Sequence, residues 1–152
     1  MRDFQKDPLT GGCQCGRVRY RISAPPIKPH VCHCRMCQKA TGGFFAALVG
    51  APKDRIRWTA TPPEEFWSSN LAKRAFCSAC GTPMGFTYDL PEARQYVTIG
   101  TLDHPEDAPI THQFGLESKV PFVEFCESVP GERTGDTAAV GEFLAKMVSR
   151  QT

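Results

Sequence analysis

The stretch Gly12-Cys13-Gln14-Cys15-Gly16-Arg17-Val18-Arg19-Tyr20-Arg21-Ile22 carries two signals in eleven residues. Glycines flank a pair of thiols, which permits the positive φ angles that a tight metal knuckle needs. The residues that follow alternate strictly. Val18, Tyr20 and Ile22 would face a core while Arg17, Arg19 and Arg21 take the other side, the pattern of a half-buried strand. The arginine row reads as a solvated face rather than an anion site.

Working outward, a second knuckle stands at Phe76-Cys77-Ser78-Ala79-Cys80-Gly81-Thr82. A Cys-x-x-Cys-Gly turn suits structural zinc, with the glycine freeing the backbone behind the second sulfur. A thioredoxin-like dithiol would instead need a following helix in a βαβ setting. Here Pro83 and Gly85 intervene, and Phe86-Thr87-Tyr88 reads as a strand. Between the knuckles lies a denser group, Val31-Cys32-His33-Cys34-Arg35-Met36-Cys37-Gln38-Lys39-Ala40-Thr41-Gly42-Gly43. Neighbouring thiols at this spacing would form strained disulfides. Bent into a knuckle, the same three sulfurs converge on one ion, and a tetrahedral zinc then lacks only its fourth ligand. A protein ligand in that position makes the site structural; an open position makes it reactive.

Of eight cysteines, seven fall in these groups and only Cys126 stands alone, expected to be a buried, unliganded thiol. The chain has 152 residues, a formal charge of +2 and 22% charged residues, the balance of one ordinary soluble domain. That excludes the strongly basic footprint of a dedicated nucleic-acid binder. Met1–Pro8 holds no apolar run and no stretch approaches a membrane span, so a cytoplasmic setting is expected. In a reducing compartment, grouped cysteines favour metal over bridges, and zinc is the expected cofactor.

Pro25, Pro26 and Pro29 force an extended entry to the triplet. A short helix is expected over Arg35–Ala40, stopped by Gly42 and Gly43, its first amides directed at the thiolates. Further strands are expected at Phe44–Val49, Arg55–Thr59, Glu65–Ser69 and Gln95–Gly100. After a linker at Pro130–Gly135, an amphipathic helix is expected from Asp136 to Ser149. Its stripe of Val140, Phe143, Leu144, Met147 and Val148 would dock on the domain or on a second copy, giving a homodimer. Thirteen glycines and thirteen prolines among short strands argue for a mainly β protein.

The three ordered cysteine motifs resemble the glutathione-dependent formaldehyde-activating enzyme family, which includes centromere protein V-like proteins. Ser68-Ser69, Gly100-Thr101-Leu102-Asp103-His104-Pro105, His112 and Lys119-Val120-Pro121 extend the match, which covers roughly residues 9 to 125. Phe122 stands where family members often carry Trp. The resemblance implies an Mss4-like β-tent of short antiparallel sheets over residues 9–126, with 127–152 as linker and helix. It implies a structural zinc on Cys13, Cys15, Cys77 and Cys80 and a catalytic zinc on Cys32, Cys34 and Cys37. One ion holding both outer knuckles would close a long loop, which agrees with that pairing.

The activity so implied joins glutathione, or a similar thiol, to formaldehyde or another small aldehyde, forming S-hydroxymethylglutathione. This is a carbon–sulfur lyase reaction. Arg35 and Lys39 are candidates to anchor the carboxylates of such a tripeptide, and His112 is a candidate proton donor. His33 would point away from the metal. Three thiolates make zinc a weak Lewis acid, so a non-catalytic binding module with two structural sites is the competing reading.

Overall fold

A computed structural model describes residues 1–90 and 94–123. The expected C-terminal helix, the 130–135 linker and Cys126 lie outside the described residues. Among those described, ten short strands form two sheets and one seven-residue α-helix lies between strands.

The smaller sheet is antiparallel, in the order β1 (Leu9–Gly12), β2 (Arg19–Ile22), β5 (Ile56–Trp58). The expected alternation holds: Val18, Tyr20 and Ile22 are buried, each 1% exposed. Arg19 on the other side is not merely solvated, because its guanidinium makes paired hydrogen bonds to Asp103. The larger sheet runs β10 (His112–Phe114), β3 (Ile27–Cys32), β4 (Ala46–Pro52), β9 (Arg94–Thr98), β8 (Pro83–Tyr88), β7 (Ala72–Phe76), β6 (Glu64–Trp67). Only the β10–β3 pairing is parallel within it.

The two sheets lean together over one apolar core, in which Leu9, Tyr20 and Ile22 of the small sheet meet Val49, Met84 and Val97 of the large one. At the ridge, Gly11 bridges Leu102 and the buried Tyr20 hydroxyl lies 2.9 Å from Thr101 Oγ1. This is the tent of short sheets expected from the motifs.

Three local expectations shift. Phe44 and Phe45 precede β4 rather than belonging to it, and Phe44 is exposed. The reason is the helix end: Gly42 takes a left-handed conformation, and Thr41 Oγ1 donates to the carbonyls of Cys37 and Phe45, which holds that turn outside the sheet. Strand β9 stops at Thr98, because Ile99–Thr101 tightens into a 3-10 turn fixed by the Thr101 hydroxyl on the Thr98 carbonyl. Strand β6 exists, but as an exposed edge with all four residues in solvent.

Candidate metal centres and the cavity beside them

The knuckles at the two ends of the core come together. Cys13, Cys15, Cys77 and Cys80 present four sulfurs within 4.8 Å of one another. Cys13 Sγ lies 3.5 Å from Cys15 Sγ, which lies 3.8 Å from Cys77 Sγ. A tetrahedron with zinc–sulfur bonds of about 2.3 Å has edges of about 3.8 Å. The donor set therefore fits a four-thiolate ion. Gly16 and Gly81, at φ of 77° and 76°, turn the chain behind each pair. Val18 N–H donates to Cys13 Sγ at 3.2 Å, and the Thr82 hydroxyl lies 3.1 Å from Cys80 Sγ. That hydroxyl, with further hydrogen bonding and against burial, draws the Cys80 thiol down to about 6. Gln14 N–H also donates to Thr82 Oγ1, so one threonine ties the two knuckles.

The triplet forms a second cluster, with the sulfurs of Cys32, Cys34 and Cys37 also within 4.8 Å. Cys32 ends β3 and Cys34 caps α1 (Arg35–Thr41), its sulfur accepting from Cys37 N–H at 3.4 Å. The sulfurs are strongly unequal. Hydrogen bonding from Cys32 first, then from Arg74 and Cys34 against the cost of burial, draws Cys37 down to about 5. The same contact with Cys37, with burial, pushes Cys32 far up. Thiolates this close cannot all ionise unless a cation lies among them. The set fits one metal ion with three protein ligands among the described residues.

His33 does turn away, as expected. It is 1% exposed, its Nε2 is 3.1 Å from Gln113 Oε1, and its Nδ1 has no partner. The neighbouring Gln38 amide donates to the carbonyls of His33 and Ser118, strapping the segment after β10 across the helix. Arg35 and Lys39 are exposed; the Arg35 guanidinium donates along α1 to Gln38 Oε1, and neither residue lines the cavity. His112 is exposed on β10, stacked on Phe114.

A cavity of about 490 Å³ opens directly over the triplet. The sulfurs form one wall, and Phe86, Tyr96 and Phe114 form much of the rest. Two residues not singled out in the sequence matter here. Arg74 of β7 donates to Cys37 Sγ at 3.5 Å, with its guanidinium 5.5 Å from the Phe86 ring centre. It belongs to a cross-sheet row, Phe66–Arg74–Phe86–Tyr96, of directly opposed residues sharing one face. His30, two residues before Cys32 on β3, lines the cavity between Tyr96 and Phe114. Its Nδ1–H donates to the Lys28 carbonyl at 2.8 Å across a β-bulge where Lys28 has a φ of 43°. Burial holds this ring below the usual histidine range. Among the described residues no carboxylate lines the cavity.

No helix among the described residues is long and apolar enough to cross a membrane. The family profile described as glutathione-dependent formaldehyde-activating enzyme matches residues 8–116. A Halomonas elongata protein named "Putative glutathione-dependent formaldehyde-activating enzyme" is 29% identical, over 76% of this chain and 80% of its own. A Schizosaccharomyces pombe protein named as an uncharacterized lyase is 23% identical, over 76% of this chain and 83% of its own. A Rhodobacter sphaeroides protein of known crystal structure superposes with a TM-score of 0.51 at 21% identity. That match covers 68% of this chain and 98% of the other, and it supports the fold alone.

Proposed function

Because this chain belongs to the glutathione-dependent formaldehyde-activating enzyme family, we propose that its cysteine triplet is a catalytic metal centre joining a thiol to an aldehyde. The observation that carries the reading is the cavity over three convergent sulfurs, with the Arg74 guanidinium beside them. Glutathione or a similar small thiol is the nucleophile, and the product is a hemithioacetal, S-hydroxymethylglutathione when the aldehyde is formaldehyde.

Cys32, Cys34 and Cys37 hold the ion, and Cys13, Cys15, Cys77 and Cys80 hold a second, structural one; zinc suits both donor sets. When bound at the triplet, the metal supplies positive charge that favours the ionised form of an incoming thiol. The chemistry then balances without any oxidant. The thiol proton leaves, the sulfur–carbon bond forms, and the carbonyl π pair moves to oxygen, which takes up a proton from solvent.

Arg74 serves this step in two ways. Its N–H group on Cys37 Sγ withdraws charge from a ligand set that would otherwise blunt the metal. The remaining guanidinium N–H groups are always charged and can donate to the oxygen where negative charge develops. Aromatic walls exclude water and strengthen that interaction. Arg35 and Lys39, exposed on α1 beside the triplet in sequence, remain the proposed anchors for the carboxylates of a tripeptide.

Exchange NMR on glutathione and formaldehyde at equilibrium tests the reading. The protein should speed transfer between free and S-hydroxymethyl forms, and Cys34→Ser should not. An exchange rate equal to that of the protein-free mixture would end it.

A further inference from the structure

A second cavity of about 370 Å³ lies on the same sheet face and shares Arg74 and Leu48 with the first. It runs beneath the C-terminal half of α1, walled by Ala40, Ala46, Phe66, Phe76 and Pro83. Its hydroxyl groups are already committed. Thr98 Oγ1 donates to the Pro83 carbonyl at 2.7 Å, and Thr41 Oγ1 to the Cys37 and Phe45 carbonyls. Among the described residues no carboxylate lines it, and Arg74 at the junction is its one charged group.

These walls do not match formaldehyde. A molecule of two heavy atoms needs little more room than a water, whose share of liquid volume is about 30 Å³. Formaldehyde would leave almost the whole lobe empty. We propose that the aldehyde taken by this centre carries an apolar chain or ring, seated in the lobe between α1 and β6–β8, with its carbonyl at Arg74. The inference rests on the reading of the triplet as a thiol–aldehyde centre and names the substrate class for it. The bond made is the same: sulfur adds to the carbonyl carbon, the π pair moves to oxygen, and the thiol proton is returned there through solvent.

The test is a series of straight-chain aldehydes with glutathione and the metal-loaded protein, followed by exchange NMR. Propanal, butanal and hexanal have nearly equal intrinsic reactivity, so differences report the lobe. A buried methylene is worth roughly fourfold, and kcat/KM should rise at least tenfold from propanal to hexanal. Hexanamide, which has the same tail but does not add thiols, should compete with hexanal and perturb the amide signals of Phe66, Gly85 and Thr98. Ala40→Phe, on a half-exposed helix position, should cut the hexanal-to-propanal ratio at least fivefold. Should that variant misfold, Phe66→Ala on the exposed edge strand removes a wall instead and should also lower the ratio. A flat series with formaldehyde still turned over overturns the inference and leaves the centre's reading intact. Turnover of none of the aldehydes overturns both, even if hexanamide binds.

Discussion

The Arg74 guanidinium donates to Cys37 Sγ at 3.5 Å, joining the middle of β7 to the buried side of α1. These residues lie 37 positions apart in sequence, and their contact places a permanent positive charge against a cysteine whose thiol is drawn down to about 5 by Cys32 and then by this arginine. The guanidinium also lies over the Phe86 ring, 5.5 Å from its centre.

Replacing Arg74 should therefore weaken catalysis more than folding. Hydrogen bonds to charged groups are worth about 1.5–3 kcal/mol, so Arg74→Met should lower kcat/KM by roughly 10- to 100-fold. Its melting temperature should stay within a few degrees of the parent. Steady-state exchange rates and a thermal melt on the same preparation give both numbers.

The two cysteine sets should respond differently to loss of a ligand. Cys13 and Cys15 are tied to Cys77 and Cys80 across the core, so metal binding there is folding free energy, on the order of 10 kcal/mol. Cys77→Ser should give aggregated protein with little metal. Cys34→Ser should fold, keep one metal per chain, and lose activity. Metal analysis and melts on both variants decide this, and equal destabilisation would make the triplet structural.

Gly115 leads from β10 into the strap over the triplet with a φ of 67°, and a Cβ there would meet Cys34 N at 2.7 Å. Gly115→Ala combines left-handed strain with a backbone clash, so a loss of about 1–2 kcal/mol or more is expected. The damage should centre on the triplet. Chelator challenge should strip one of two metals faster than in the parent, with the four-cysteine ion unaffected.

Much of this arrangement was legible in the sequence because it is local. Cys13/Cys15, Cys77/Cys80 and the triplet are each set by spacing within a few residues, and Val18, Tyr20 and Ile22 show their core face by alternation alone. Arg74, three residues before Cys77, shows no sign of its role in the sequence, since nothing in β7 indicates that α1 lies across from it. That fact comes from the register Arg74–Phe86–Tyr96, a product of strand order. His30 was hidden for the same reason, because its neighbours Tyr96 and Phe114 arrive from strands far along the chain. Phe44 misled because an apolar run looks like a strand, while the Gly42 cap and the Thr41 hydroxyl hold that segment out of the sheet.

The central claim is that the triplet offers a metal three protein sulfurs and one position for a substrate thiol. X-ray absorption at the zinc edge, on protein carrying two metals, measures this directly before and after glutathione. Four sulfurs at one ion and three at the other average to about 3.5 per metal, and a bound thiol should raise the mean to about 4. The sulfur shell should stay near 2.3 Å throughout. A mean of four sulfurs before any thiol is added, unchanged by glutathione, would mean that the protein closes both sites itself and would contradict the account.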